Sequence, residues 1–195
     1  YRREIQLVRT SPNEDDPAGY IMMSFSNLDD RGLTVLPIHR LLRNPDGLLW
    51  SSFEERARQY FSIQPIDPEG IFSLIENQYQ ERVCFGIYIG EGKYYLLCLK
   101  ETIDPCEVIK GSLPMAWKTL DVTLFQTILL EMSLQMSIKT MKEQEYIGFT
   151  HNMQEAIALV DEKIYQWAFF LKPTKLQDIK KICLSGHKMP QKSTF

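Results

Sequence analysis

The sequence predicts an α+β chain: a mixed β-sheet with packed helices, closing in a C-terminal βαβα-like unit. Three observations predict it. Val83–Ile89 and Tyr94–Leu99 are apolar on both sides and are joined by Gly90-Glu91-Gly92-Lys93, the pattern of a hairpin inside a covered sheet. Two stretches carry apolar residues at helical spacing: Phe53, Ala57, Tyr60 and Phe61, then Ile71, Leu74, Ile75 and Tyr79. From Glu145 onward, strand and helix patterns alternate, so the two C-terminal strands are expected to run parallel.

The 195 residues suit a single α+β domain, with sub-lobes 1–110 and 111–195 as a possible division. Hydrophobic residues are 44% and charged residues 24%, enough for a sizeable core. A net charge of -3 gives no global field to attract nucleic acid. The charge is uneven, however. Residues 172–195 hold six lysines against Asp178, a net +5, which leaves -8 on the rest. A solvated helix face and a local anion site are both open readings of that lysine-rich end.

Cys84, Cys98, Cys106 and Cys183 form no C-x-x-C pair, and most sit in apolar runs. They read as small buried hydrophobes in a reduced, cytoplasmic compartment. His39, His151 and His187 match no zinc spacing. No apolar run reaches the ~18 residues of a membrane span, so neither membrane nor nucleic acid is expected as a partner. Tyr1-Arg2-Arg3-Glu4-Ile5 reads as the middle of a helix, so the chain is expected to be a piece of a longer protein.

In order, Tyr1–Val8 reads as a helix end and Ser11–Gly19 as a loop. Tyr20–Phe25 and Leu33–Leu36 read as strands around an Asn27–Gly32 turn, in which Asp29 and Asp30 are turn formers. Pro37 ends the second, and His39 and Arg40 follow among aliphatics. Two readings of that pair stand: a core-edge His with a surface Arg, or an anion-binding pair in which His switches protonation near neutral pH.

Ser51 or Ser52, with Glu54 or Glu55, is expected to cap a helix, and Phe61–Ile66 to supply a short strand. Asp67-Pro68 starts the next helix. The Gly90/Gly92 loop joins two strands, so it is no phosphate-binding loop. Asp104–Pro114 connects to Leu120–Met132, the most hydrophobic helix, with Val122, Leu124, Phe125, Ile128, Leu129, Leu130 and Met132 nearly all round it. Glu145–Phe149 is a strand. Asn152 with Glu155 caps a helix with Ala156, Leu159 and Val160 inward, and Tyr165–Leu171 is a strand. Thr174 with Gln177 caps the last helix, its stripe Leu176, Ile179 and Cys183, and Gly186 stops it.

Beyond Gly186 comes the densest polar run, His187-Lys188-Met189-Pro190-Gln191-Lys192-Ser193-Thr194-Phe195. Together with Leu36-Pro37-Ile38-His39-Arg40-Leu41-Leu42, Leu120-Asp121-Val122 and Ala168–Thr174, this run closely resembles the domain-of-unknown-function family numbered ten-fifteen. The likeness runs nearly end to end, and M-P-Q-K-S-T with its aromatic is its most specific part.

The resemblance implies a C-terminal half, lacking an N-terminal half of partition-protein-B-like fold that carries an A-D-G-H-H-R motif; free-serine kinases share its D-G-H-H-R part and that fold. It therefore implies the accessory half of an ATP-dependent kinase acting on a small amino acid such as free L-serine. A non-catalytic small-anion-binding or dimerisation module is the alternative. It carries over to His39 as a catalytic residue and to Arg40, Gln191, Lys192, Ser193 and Thr194 as substrate or phosphate ligands. His151 matches no family histidine.

Phosphoryl transfer asks for positioned positive charge, donors and a base. Arg40 and Lys192 would give the charge, Ser193 and Thr194 the donors, and His39 would orient or deprotonate a hydroxyl. ATP and Mg²⁺ would belong to the full-length protein, with no cofactor bound by this piece and no metal ligand evident in it. The expected partners are its missing half, a small anionic metabolite or nucleotide, and another copy of itself.

Overall fold

The computed structural model describes residues 20, 22–23, 25, 27–30, 32–43, 49–76, 82–136, 146–190 and 192–193. They fall into two units, 1–33 and 34–195. In the first, the expected turn is present. Asp30 N–H donates to the Asn27 carbonyl at 3.1 Å. The Asn27 side chain accepts from Asp29 N–H at 3.0 Å, and that of Asp30 from Gly32 N–H at 2.8 Å. These short polar side chains bond their own backbone, which favours turns over ladders. The strands expected on either side are not found: among the described residues neither 20–25 nor 33–36 belongs to a ladder. Tyr1–Val8, Ser11–Gly19, Tyr79 and Glu145 lie outside the described residues.

Among its described residues the second unit is built on six strands: β1 (His39–Leu42), β2 (Phe61–Ile66), β3 (Cys84–Tyr88), β4 (Tyr94–Leu99), β5 (Ile147–Thr150) and β6 (Trp167–Phe170). Their order is β2-β4-β3-β6-β1-β5, and every ladder is antiparallel. The α+β class is therefore what the chain adopts. The hairpin β3–β4 lies inside the sheet, as its two-sided apolar pattern requires. β5 and β6 do run in the same direction, but β1 is inserted between them and pairs with both. The C-terminal unit is thus a split βαβ, and the strand that splits it carries His39 and Arg40. The sheet is continuous across residue 110, since β3 pairs with β6.

Helices cover both faces. On one face lie α1 (Trp50–Ala57), the short α3 (Pro105–Val108) and α4 (Met115–Lys118), α5 (Asp121–Leu124, continuing in wider π-helical turns through Phe125–Ser133) and α7 (Leu176–Leu184). Phe53, Phe61, Phe85, Phe125 and Phe169 meet there edge-on or tilted, with ring centroids 5.2 to 6.1 Å apart. On the other face, α2 (Pro68–Glu76) and α6 (Met153–Asp161) bring Ile71, Met153, Ala156 and Val160 onto Leu41, Tyr88 and Phe170.

Several boundaries differ from expectation. α1 begins after Leu49 without a side-chain cap, so Ser51 and Ser52 lie inside it. It ends at Ala57, and Phe61 reaches the core from β2 instead. Asp67 does cap α2, through Gly70 N–H at 2.6 Å, and Asn152 caps α6 through Glu155 N–H at 3.1 Å. In α6 Leu159 is only partly buried, and Met153 takes the inward place. The wider turns of α5 move Met132 off the buried side, to 38% exposure. In α7, Ile182 is buried and Cys183 exposed, which moves the stripe by one residue.

Cys84 and Cys98 are not isolated thiols. They face each other across the β3–β4 ladder with Cα atoms 4.2 Å apart and form a disulfide. Among the described residues no helix is long and apolar enough to cross a membrane.

Candidate anion-binding site

At the His39 end of β1 the four sequence stretches meet. The Arg40 guanidinium donates to the Ile38 carbonyl and, 152 residues along the chain, to the Lys192 carbonyl at 2.6 Å. Thr174 Oγ1 donates to the Ser193 carbonyl at 2.7 Å, and Trp117 Nε1 to that of Lys188 at 3.1 Å. Three donors, from β1, α4 and the β6–α7 connection, thus hold three tail carbonyls, which fixes the turn and leaves the Lys192 side chain outside. Lys192 itself has a left-handed backbone, φ 56°, a conformation that costs a non-glycine residue about 1–2 kcal/mol unless its surroundings enforce it. Thr174 does not cap α7; its hydroxyl is turned to the tail, and α7 starts after Lys175 without a side-chain cap.

Phe149 joins the two cations. On β5 it stands opposite Arg40, whose guanidinium carbon lies 5.1 Å from the ring centroid, while Lys192 Nζ lies 5.4 Å from it. Such a ring stabilises each cation by about 0.5–2 kcal/mol, depending on desolvation. Among the described residues no carboxylate is paired with Arg40, and burial lowers its pKa to about 10. Arg40 is 6% exposed, so the expectation of a core-edge His beside a surface Arg does not hold for it.

His39 is 1% exposed and packs edge-on against Phe170 at 5.3 Å. Its Nδ1 accepts from Leu171 N–H at 3.4 Å. Burial first, then the charge of Arg40 and His151, lowers its pKa to about 4. It is therefore neutral at pH 7, and a proton switch near neutral pH does not fit it. His151, set aside on sequence grounds, is close enough to act on it electrostatically.

Lys172 Nζ lies 3.4 Å from Asp121 Oδ2 at the start of α5 and donates to the Arg82 carbonyl at 2.5 Å. Desolvation raises the Asp121 pKa, with Lys172 and Lys175 pulling the other way. The Ser193 hydroxyl donates to the Pro190 carbonyl at 2.8 Å and is buried, so it braces the turn from within. Gln191 and Thr194 lie outside the described residues. Among the described residues no group of three or more His, Cys, Asp or Glu side chains could hold a metal ion.

Two cations on one aromatic ring, with the tail pinned by its carbonyls, define an α+β module with a built cationic corner. By family, the chain belongs to the one described as "Protein of unknown function (DUF1015)", whose model matches residues 1–123. That match contains the His39-Arg40 and Asp121 stretches; Ala168–Thr174 and the tail lie beyond it. No curated protein and no solved structure matches the chain.

Proposed function

We propose that residues 34–195 form a small-anion-binding module in which Lys192 and Arg40 hold a phosphate group. The observation that carries this reading is the convergence of both cations on Phe149, with no carboxylate among the described residues paired to Arg40. Guanidinium and ammonium groups at a desolvated edge gain most from a phosphate's charge and acceptors. In a longer protein the module would act as the accessory half of an ATP-dependent kinase for a small amino acid such as free L-serine. The base and metal ligands would then come from outside the described residues, because His39 is buried and its pKa, lowered to about 4, makes it a weak base, and the described residues hold no group of three or more His, Cys, Asp or Glu that could bind a metal ion.

Two assays separate these layers. Inorganic phosphate and ATP are titrated into this chain, and a Lys192→Ala variant is expected to bind about tenfold more weakly. Full-length protein is assayed for ATP turnover dependent on L-serine. Equal binding by wild type and variant would overturn the module reading. Binding without serine-dependent turnover in the full-length protein would overturn the kinase reading alone.

A further inference from the structure

The other end of β1 opens on a cleft of about 560 Å³, between the β3–β4 turn and the loop joining α6 to β6. That volume suits a small molecule. Arg43 and Lys163 line it, and so do Glu91 and Asp161. Glu91 is paired with Lys93 at 2.6 Å, which leaves Asp161 as the carboxylate of consequence.

Both principal groups are oriented by the protein. Arg43 Nε donates to the Ile164 carbonyl at 3.1 Å, and its guanidinium lies over the Tyr165 ring at 5.0 Å. The plane is set by these contacts, and the two Nη groups remain as a fork matched to a carboxylate. Asp161 Oδ1 accepts from the Tyr88 hydroxyl, and that hydroxyl accepts from Gly92 N–H at 3.3 Å. Asp161 Oδ2 is thereby left for a ligand's ammonium. Ile89, Val160 and Ile164 supply an apolar wall. Glu91 and Lys163, one on each side, have left-handed backbones at φ 54° and 60°, and such conformations concentrate at ligand clamps.

We infer that this cleft binds a free α-amino acid with an apolar side chain, its carboxylate on Arg43 and its ammonium on Asp161. A simple anion would face Asp161, and a simple cation would face Arg43 and Lys163; a zwitterion satisfies both. The inference is independent of the phosphate reading, since it uses none of the same residues.

The test is calorimetric titration of this chain with L-leucine, 4-methylpentanoate and 3-methylbutylamine, which remove the ammonium and the carboxylate in turn. L-Leucine is expected to bind at least tenfold tighter than either analogue. Arg43→Gln and Asp161→Asn are each expected to weaken it tenfold or more, and Lys192→Gln to leave it unchanged. The amide oxygen introduced by Asp161→Asn would still accept from Tyr88, so that variant is decisive if Arg43→Gln lowers the melting temperature. Absence of L-leucine binding in the millimolar range overturns the inference. So does equal binding of the analogues, or wild-type affinity in Asp161→Asn.

Discussion

Arg40 and Arg43 stand at opposite ends of one strand, and their surroundings separate them. Arg40 is buried and gives its donors to two backbone carbonyls, one of them in the tail. Arg43 is exposed, fixed by one carbonyl and one ring, with its outer edge on an open cleft. The lesson is that an arginine's charge alone does not mark a ligand site. What matters is which N–H groups remain after the protein has used the others. By that measure Arg40 serves the tail as well as the proposed phosphate, whereas Arg43 keeps its outer N–H groups toward the cleft.

The largest expected effect breaks this contrast at its buried end. Arg40→Met orphans the Ile38 and Lys192 carbonyls and is expected to lower unfolding free energy by about 3 kcal/mol. Arg43→Met is expected to change it by less than about 0.5 kcal/mol. Urea midpoints measure both, and equal losses would erase the distinction.

A comparable effect comes from pH. His39 has a folded pKa of about 4 against an ordinary value of 6.5, so the unfolded chain takes up its proton first. Its contribution is complete above pH 6.5 and is lost as pH falls toward 4, by roughly 3 kcal/mol. A His39→Gln variant should show a flatter acid limb in urea midpoints measured against pH. An unchanged limb would mean that His39 is protonated in the folded state.

Two smaller effects sharpen the comparison. Thr174→Val removes the hydroxyl that holds Ser193 and is expected to cost about 1 kcal/mol, with faster amide exchange at Lys192 and Ser193 as the check. In Gly148→Ala the new Cβ would lie 2.5 Å from the Tyr165 hydroxyl oxygen. Displacing that ring should weaken ligand binding at the Arg43 cleft about threefold while phosphate affinity at Lys192 stays constant.

The fold was largely readable where local chemistry decides. The Asp67 and Asn152 caps, the β3–β4 hairpin and Phe61–Ile66 each follow from neighbours in sequence. The disulfide was within reach too, because a hairpin closing at Gly90–Lys93 brings Cys84 opposite Cys98; compositional reading of the cysteines passed over that register. The insertion of β1 between β5 and β6 was not readable, since the partners lie more than 100 residues away. For the same reason Phe149 went unnoticed. It is an ordinary strand aromatic until register sets it opposite Arg40. The Arg43 cleft was missed because its residues come from two loops and a strand end, each unremarkable alone.

In the proposed site, Arg40 holds the tail so that Lys192 meets an anion. Its most direct test is a titration with inorganic phosphate, followed by the backbone amide shifts of Lys192 and Ser193. Saturable shifts are expected there, abolished in Lys192→Gln and retained in Arg43→Gln. Shifts confined to the Arg43 cleft, or a Lys192→Gln variant that titrates like wild type, would contradict it.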